Sequence, residues 1–209
     1  FLLHFRRGSF LQKRPPRIAR LINNKMLKKL LFLSPLLAAL LLCASCDKAE
    51  SERSSYRAFM RFSPVTGAPQ LLAALTSPGM FCTITFSAQY YIFTAPDGKS
   101  TSYPRTALDA YGQPQFIAGF IVGMPPGVDM NGQTRIVAYD LACPTCYNAS
   151  ALTKRLTLDL TLPYARCPQC NRLYDLSNKG IIIEGDRGNN LETYSIAYTP
   201  AQDAVVIQN

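Results

Sequence analysis

The residues best suited to chemistry are four cysteines in two Cys-Pro-x-Cys pairs. Cys143 and Cys146 form the first pair, and Cys167 and Cys170 form the second, with 20 residues between the pairs. A Cys-x-x-Cys turn directs two sulfurs at one centre, and a second turn brought alongside completes a tetrahedral set of ligands. The spacing therefore predicts a metal site made of all four thiolates.

Other states of these cysteines fit the same spacing. An oxidising compartment would favour disulfide bonds, and a vestigial site would leave the thiols without a ligand. A dithiol–disulfide redox protein is a further alternative, because such proteins also use Cys-x-x-Cys. That chemistry needs the motif at a helix N-terminus, where the thiol pKa is lowered, whereas Cys170 precedes a predicted strand at residues 173–176.

The scarcity of histidine excludes several classes of enzyme. His4 is the single histidine of the chain and lies in the N-terminal segment. Without an imidazole the rest of the chain has no Ser-His-Asp or Cys-His arrangement. That part of the chain also lacks the histidines that would bind the catalytic iron of an oxygenase. We therefore predict a protein that is not an enzyme.

The basic charge of the chain is concentrated at its N-terminus. The formal net charge is +9, and residues 1–45 hold nine of the 22 Lys and Arg residues and no acidic residue. The remaining chain has 13 basic and 13 acidic residues. A nucleic-acid surface needs a basic face on the folded domain, so we expect no nucleic-acid partner.

Residues 1–45 have the pattern of a bacterial export leader. A start at Met26 is followed closely by two lysines, and residues 30–42 form an apolar run of 13 residues. That run has the length of a signal-peptide core and is shorter than the ~20 residues that span a bilayer as a helix. Residues 1–25 are interpreted as sequence upstream of the start, with a long basic n-region as the alternative.

Cys46 is the predicted lipidation site. Small residues precede it in a pattern that resembles a bacterial lipobox, which implies cleavage before Cys46 and acylation of its thiol. A lipobox usually has leucine where Cys43 stands, so plain secretion and a membrane stop are alternatives. Residues 46–55 have few apolar side chains and are predicted to be a tether. The expected location is the cell envelope, with Cys46 bound to lipid of a bacterial membrane.

Residues 56–209 are predicted to form an all-β domain that positions the cysteine pairs. Residues 80–87 alternate as a half-buried strand does, which places Cys82 on the apolar face as a buried free thiol. Residues 134–141 form a predicted strand that leads to the first pair, and residues 155–162 one that runs back toward the second. Short strands between turn residues indicate a sandwich or a partly open barrel. The other predicted elements are strands at 56–62, 89–94, 100–103, 116–122, 173–176, 181–183, 193–198 and 204–207, and a short helix at 70–75.

Two stretches around the cysteines carry a family resemblance. They read Tyr139-Asp140-Leu141-Ala142-Cys143-Pro144, and Cys167-Pro168-Gln169-Cys170 followed by Tyr174-Asp175-Leu176, Gly180, Leu191 and Tyr194. Over residues 135–198 the chain resembles Rieske-type iron–sulfur domains, in particular Rieske-like bacterial lipoproteins. The resemblance implies a Rieske-like β domain with a zinc-ribbon-like subdomain of two knuckles, at residues 143–146 and 167–170.

Departures from the Rieske pattern change the expected cofactor. A Rieske cluster has two His and two Cys ligands, but Cys170 stands in place of the second histidine, and Cys146 stands one residue late in the first loop. Four thiolates would hold structural Zn²⁺ or a [2Fe–2S] cluster of low potential, near about −400 mV. The predicted role is a membrane-anchored binding or scaffold module, or an electron-transfer module with a protein redox partner. A dithiol–disulfide protein or a disulfide-stapled vestigial Rieske fold are the alternatives.

Overall fold

The fold is known from a computed structural model that describes residues 54–106, 113–128 and 132–209. Strands account for 37% and helices for 14% of the described residues, which confirms the predicted all-β class. The described residues belong to one compact unit. The predicted leader, the lipidation candidate Cys46 and the tether as far as residue 53 lie outside the described residues.

Twelve strands and two α-helices make up the described part of the chain. The strands are β1 (Phe59–Phe62), β2 (Phe81–Phe86), β3 (Tyr90–Thr94), β4 (Ser100–Pro104), β5 (Phe120–Gly123), β6 (Val137–Asp140), β7 (Thr157–Leu158), β8 (Tyr164–Arg166), β9 (Leu173–Asp175), β10 (Ile181–Glu184), β11 (Thr193–Thr199) and β12 (Ala204–Gln208). The helices are α1 (Pro69–Thr76) and α2 (Pro144–Ser150), and 3₁₀ turns occur at Val65–Gly67 and Pro200–Gln202. Neither of these helices has the length and apolar character needed to cross a bilayer.

The strands form two antiparallel sheets of unequal size. The larger is curled like half of a barrel and has the order β1-β12-β11-β6-β5-β2-β3-β4. The smaller has the order β10-β9-β8-β7. Strand β6 of the large sheet leads to the first cysteine pair, while β8 and β9 of the small sheet flank the second. The metal-binding candidates therefore come from both sheets.

Two apolar clusters form the core, and β2 contributes to both. In the first, Leu71 and Leu75 of α1 pack with Cys82 and Ile84. In the second, Phe81 packs with buried residues of both sheets. Successive side chains of a strand point to opposite faces, so a strand covered on both sides buries neighbouring residues. The predicted burial of Cys82 as a free thiol is confirmed.

The strand predicted over residues 155–162 is wrong beyond β7. The Asp159 carboxylate accepts the backbone N–H groups of Thr161 at 2.9 Å and Leu162 at 3.0 Å, which turns the chain. Leu160 is consequently 71% exposed and Leu162 52% exposed. Short polar side chains that bond to nearby backbone compete with a sheet ladder in this way.

The strand predicted over residues 116–122 is also too long at its start. Strand β5 begins only at Phe120. The backbone N–H groups of Ile117 and Ala118 donate to the carboxyl of Asp140. They are therefore used by a side chain and not by a neighbouring strand.

Candidate metal centre

The first cysteine pair lies at the junction between β6 and α2. Cys143 immediately precedes the helix, and Pro144 is its first residue, where the fixed φ of proline suits a helix start. The Cys143 N–H donates to the Lys154 carbonyl at 2.8 Å, and its carbonyl accepts the Tyr147 N–H at 3.0 Å. Cys146 follows within the first turn of the helix, so one helical turn carries both sulfurs.

The second pair lies in a tight turn between β8 and β9. The Cys167 N–H donates to the Arg172 carbonyl at 3.0 Å, and the Cys167 carbonyl accepts the Asn171 N–H at 2.9 Å. Asn171 has a φ of 58°, a left-handed conformation that asparagine tolerates better than most residues. These two bonds close the turn around Pro168, Gln169 and Cys170.

The structure brings all four sulfurs together. No two of them are more than 4.8 Å apart, and the Cys143–Cys170 and Cys146–Cys167 separations are 3.6 Å and 3.8 Å. Zn–S bonds of about 2.3 Å place the sulfurs of a tetrahedral site about 3.8 Å apart. The two sulfurs of a disulfide bond are only about 2.05 Å apart, and all the described cysteines are free. The predicted convergence is confirmed, and the four cysteines are close enough to bind a metal ion.

Three of the four thiols, Cys146, Cys167 and Cys170, have shifted pKa values. Burial raises the pKa of Cys146 and of Cys167 above the usual value. Burial acts in the same direction on Cys170, but the backbone N–H and the side chain of Arg172 outweigh it and lower the pKa of Cys170 to about 6. Of these three thiols, Cys170 therefore has the most thiolate character. Cys146 and Cys167 would lose their protons when a cation binds, since metals bind the deprotonated form.

The two arginines beside the second pair have different partners. Arg166 pairs with Glu184 at 2.8 Å on the surface. The guanidinium of Arg172 interacts with the Cys170 thiol, and this contact raises the pKa of Arg172. Of the two, Arg172 is thus the one placed to offset negative charge on four thiolates.

A loop after β10 contacts both cysteine turns. The Asn189 N–H donates to the Thr145 hydroxyl at 3.2 Å. The Arg172 guanidinium donates to the carbonyls of Asp186 at 2.9 Å and Arg187 at 3.2 Å. A Cβ on Gly188 would lie 2.5 Å from the Thr145 hydroxyl oxygen. Only glycine allows the loop to approach the first turn this closely.

The hydroxyl of Tyr174 lies 3.3 Å from the Cys143 sulfur. Tyr174 is fully buried, and burial raises its pKa above the usual value. The hydroxyl therefore keeps its proton and donates to the sulfur when Cys143 is a thiolate. Tyr174 was part of the predicted motif, but the sequence did not indicate this contact.

Asp140 is a buried carboxyl group that the sequence did not single out as part of the site. Its oxygens accept the N–H groups of Ile117, Ala118 and Ala142 at 2.9, 3.1 and 2.7 Å. They also accept the Tyr194 hydroxyl at 3.2 Å. Burial raises the pKa of Asp140 above its usual value, although these donors act to lower it. The carboxyl group fixes the backbone between β6 and Cys143, and so positions the first ligand.

Comparison with known proteins adds no relative. The chain matches no protein-family model, and a search of curated proteins also finds no match. The Rieske-like relationship and the lipidation of Cys46 remain predictions.

Proposed function

We propose that the four cysteines hold one Zn²⁺ ion in a closed thiolate site, and that the protein is a binding or scaffold module. The observation that carries this proposal is the mutual approach of the four sulfurs to within 4.8 Å. A zinc ion with four protein ligands has no open position for water, so it is structural and not catalytic. The centre would then fasten the cysteine turns together.

The compactness of the sulfur cluster favours one ion over an iron–sulfur cluster. In a [2Fe–2S] cluster each iron takes two cysteines, and the irons are bridged by sulfide. Two metal positions separate the cysteine pairs further than a single ion does. A cluster and an electron-transfer role would therefore need the two turns to move apart. The cluster and the electron-transfer role are therefore less well supported than a single Zn²⁺ ion.

The proposed setting is a Rieske-like domain fixed to a bacterial membrane through acylated Cys46. Support for the domain comes from an antiparallel all-β fold with the cysteines in two loops. Support for the anchor comes from the apolar run and the small residues before Cys46. The cell envelope is accordingly the proposed location.

A dithiol–disulfide protein is the second candidate, because one observation favours it. Cys143 and Cys146 begin a helix, as thioredoxin-like chemistry requires. Oxidation of two thiols to a disulfide would release two electrons and two protons to a disulfide-bearing partner, which would be reduced to two thiols. Against this candidate, burial raises the pKa of Cys146, and Cys170, the thiol whose pKa is lowered, belongs to the other turn.

Metal analysis of the full chain, purified in detergent under reducing conditions, separates these functions. We expect one zinc per chain and no colour, and intense visible absorption after replacement by Co²⁺, as thiolate ligands in a tetrahedral site produce. Cys167→Ser should lose the metal, whereas Cys82→Ser, at a cysteine outside the group of four, should retain it.

Three outcomes would count against the zinc site. Brown protein with two irons per chain would show a cluster. Protein without metal whose thiols oxidise reversibly would support the dithiol–disulfide candidate. Equal metal content in Cys167→Ser and the parent would show that the metal binds elsewhere.

A further inference from the structure

An open groove lies beside the second cysteine turn, outside the four sulfurs. Its walls are residues 116–118, residues 153–155, and Pro168 with Gln169. Its volume is about 550 Å³, within the range of roughly 300–1,000 Å³ that is typical of ligand sites. The groove has room for a few side chains.

Two walls of the groove are held by the groups that position Cys143. The backbone of Ile117 and Ala118 is bonded to the buried Asp140 carboxyl. The Lys154 carbonyl accepts the Cys143 N–H. Backbone fixed in this way is preorganised, which lowers the entropic cost of binding.

The groove combines positive charge with apolar surface. Its ionisable side chains are Lys154 and Arg155, both basic. Neither forms an ion pair with any residue that the structure describes. Phe116, Ile117 and Pro168 supply apolar surface. The complementary ligand carries carboxylates next to apolar groups.

We propose that this groove binds an acidic segment of a partner protein. Carboxylates of the segment pair with Lys154 and Arg155, and its apolar side chains lie against Phe116 and Pro168. The groove is concave, so a peptide fills it and a planar lipid surface does not. This inference rests on the scaffold function proposed above for its biological role, but not for its geometry.

Binding at the groove would bring the partner next to the metal centre. Pro168 and Gln169 line the groove and separate the ligands Cys167 and Cys170 in the chain. A docked segment therefore touches the turn that carries half of the ligands. The partner would sense whether that turn is ordered, which gives a structural metal a role in recognition.

A local fluorescent reporter tests the proposal in the full chain. The chain contains no tryptophan, so Thr153→Trp places a single tryptophan at an exposed position in the groove wall. A local signal is needed because, in protein that retains segment 1–45, the nine basic residues of that segment also attract acidic peptides. The probe is a short peptide of alternating Glu and Leu, and the same peptide with Lys in place of Glu is its control.

We expect a saturable change in tryptophan emission with the Glu-Leu peptide and none with the Lys-Leu peptide. In the Thr153→Trp background, Lys154→Gln with Arg155→Gln should weaken apparent binding about tenfold at low salt, since two charge pairs are lost. The matched control is Arg57→Gln with Arg61→Gln, which removes the same charge from exposed positions of the structure outside the groove. Its apparent affinity should change by less than about twofold.

The proposal is overturned if the Glu-Leu peptide gives no signal, or if the Lys154→Gln, Arg155→Gln variant binds it as well as the parent does. Vesicles of phosphatidylglycerol test the lipid alternative. The groove proposal would also be overturned if the vesicles, but not the peptide, produced a signal and Lys154→Gln with Arg155→Gln removed that signal. Metal content is measured on every sample. Peptide binding by protein without metal would support the groove, but it would contradict both the zinc site and the role of the metal in recognition.

Discussion

The carboxyl of Asp140 can be altered to disturb the proposed metal centre without changing a cysteine. One oxygen accepts the N–H groups of Ala118 and Ala142, and the other accepts the Ile117 N–H and the Tyr194 hydroxyl. Asparagine has the same shape, but its NH₂ group accepts no hydrogen bond. We expect the NH₂ group on the Ile117 side, because there the Tyr194 hydroxyl can rotate and become an acceptor.

Asp140→Asn thus leaves one backbone N–H, that of the partly buried Ile117, without an acceptor. An unsatisfied donor costs about 1–3 kcal/mol when buried, so we expect the free energy of unfolding to fall by about 1–2 kcal/mol. Asp140→Ala leaves three backbone donors without an acceptor and should cost about 3–6 kcal/mol. Tyr194→Phe removes one donor and leaves the three backbone bonds, so the free energy of unfolding should fall by about 1 kcal/mol.

Urea unfolding followed by circular dichroism measures these free energies, and extraction of bound metal by a chelator measures the effect on the centre. Metal loss should be much faster in Asp140→Ala than in Tyr194→Phe, because only the alanine variant frees the backbone before Cys143. A cost of less than about 1 kcal/mol for Asp140→Ala would show that the carboxyl does not hold this backbone. Equally unstable asparagine and alanine variants would show that the oxygen retained by asparagine holds no backbone bond.

Two further substitutions test the buried thiol of Cys82 and the loop after β10 that contains Gly188. Burial raises the pKa of Cys82 from 9.0 to about 12, so between these values the folded protein keeps a proton that the unfolded chain loses. With rising pH, the unfolding free energy of the wild type should fall relative to Cys82→Val by about 1.4 kcal/mol per pH unit in that window, measured by urea unfolding. Gly188→Ala introduces a Cβ only 2.5 Å from the Thr145 hydroxyl oxygen. The loop should be displaced, which should lower the free energy of unfolding, measured with urea, by about 1–3 kcal/mol. Extraction of metal should also become faster.

Each of these substitutions has its own control or contradictory outcome. Parallel pH profiles for the wild type and Cys82→Val would show that this thiol does not govern the alkaline loss of stability. For the loop, Gly98→Ala is the comparison, since a Cβ there meets nothing within 4 Å but the φ of +83° makes alanine strained. Gly98→Ala should lose stability with metal extraction unchanged. If both glycine variants release metal at the wild-type rate, the loop does not protect the centre.

The sequence predicted best those features whose geometry is contained in a few neighbouring residues. A Cys-x-x-Cys turn brings two sulfurs together within four residues, so the sequence predicted that the sulfurs of each pair lie together. The repetition of the turn predicted that the two pairs share one site, and all four sulfurs lie within 4.8 Å of one another in the structure. Alternation over residues 80–87 likewise predicted β2 and the burial of Cys82. In both cases the local pattern and the tertiary environment favour the same conformation.

Features that depend on distant partners were not predictable in this way. Two donors to Asp140 come from residues 22 and 23 positions earlier in the chain, and nothing near Asp140 in the sequence indicates them. Helix α2 has seven residues, too few for a periodic signal, although Pro144 is a common first residue of a helix. The leucines at 160 and 162 alternate as a strand does, but the side chain of Asp159 turns the backbone there.

The origin of the cysteines in two sheets explains why a domain with its own apolar core would use a metal. Cys143 follows a strand of the large sheet, while Cys167 and Cys170 lie between strands of the small one. Other links between the sheets include the bond from the Tyr139 hydroxyl to the Leu176 carbonyl, at 2.9 Å, and the second apolar cluster. The first cluster contains none of the four cysteines. Loss of metal should therefore loosen the small sheet and leave the packing of α1 on the large sheet in place. A metal bound by the four cysteines would act as a local fastener between the sheets and not as the source of the fold.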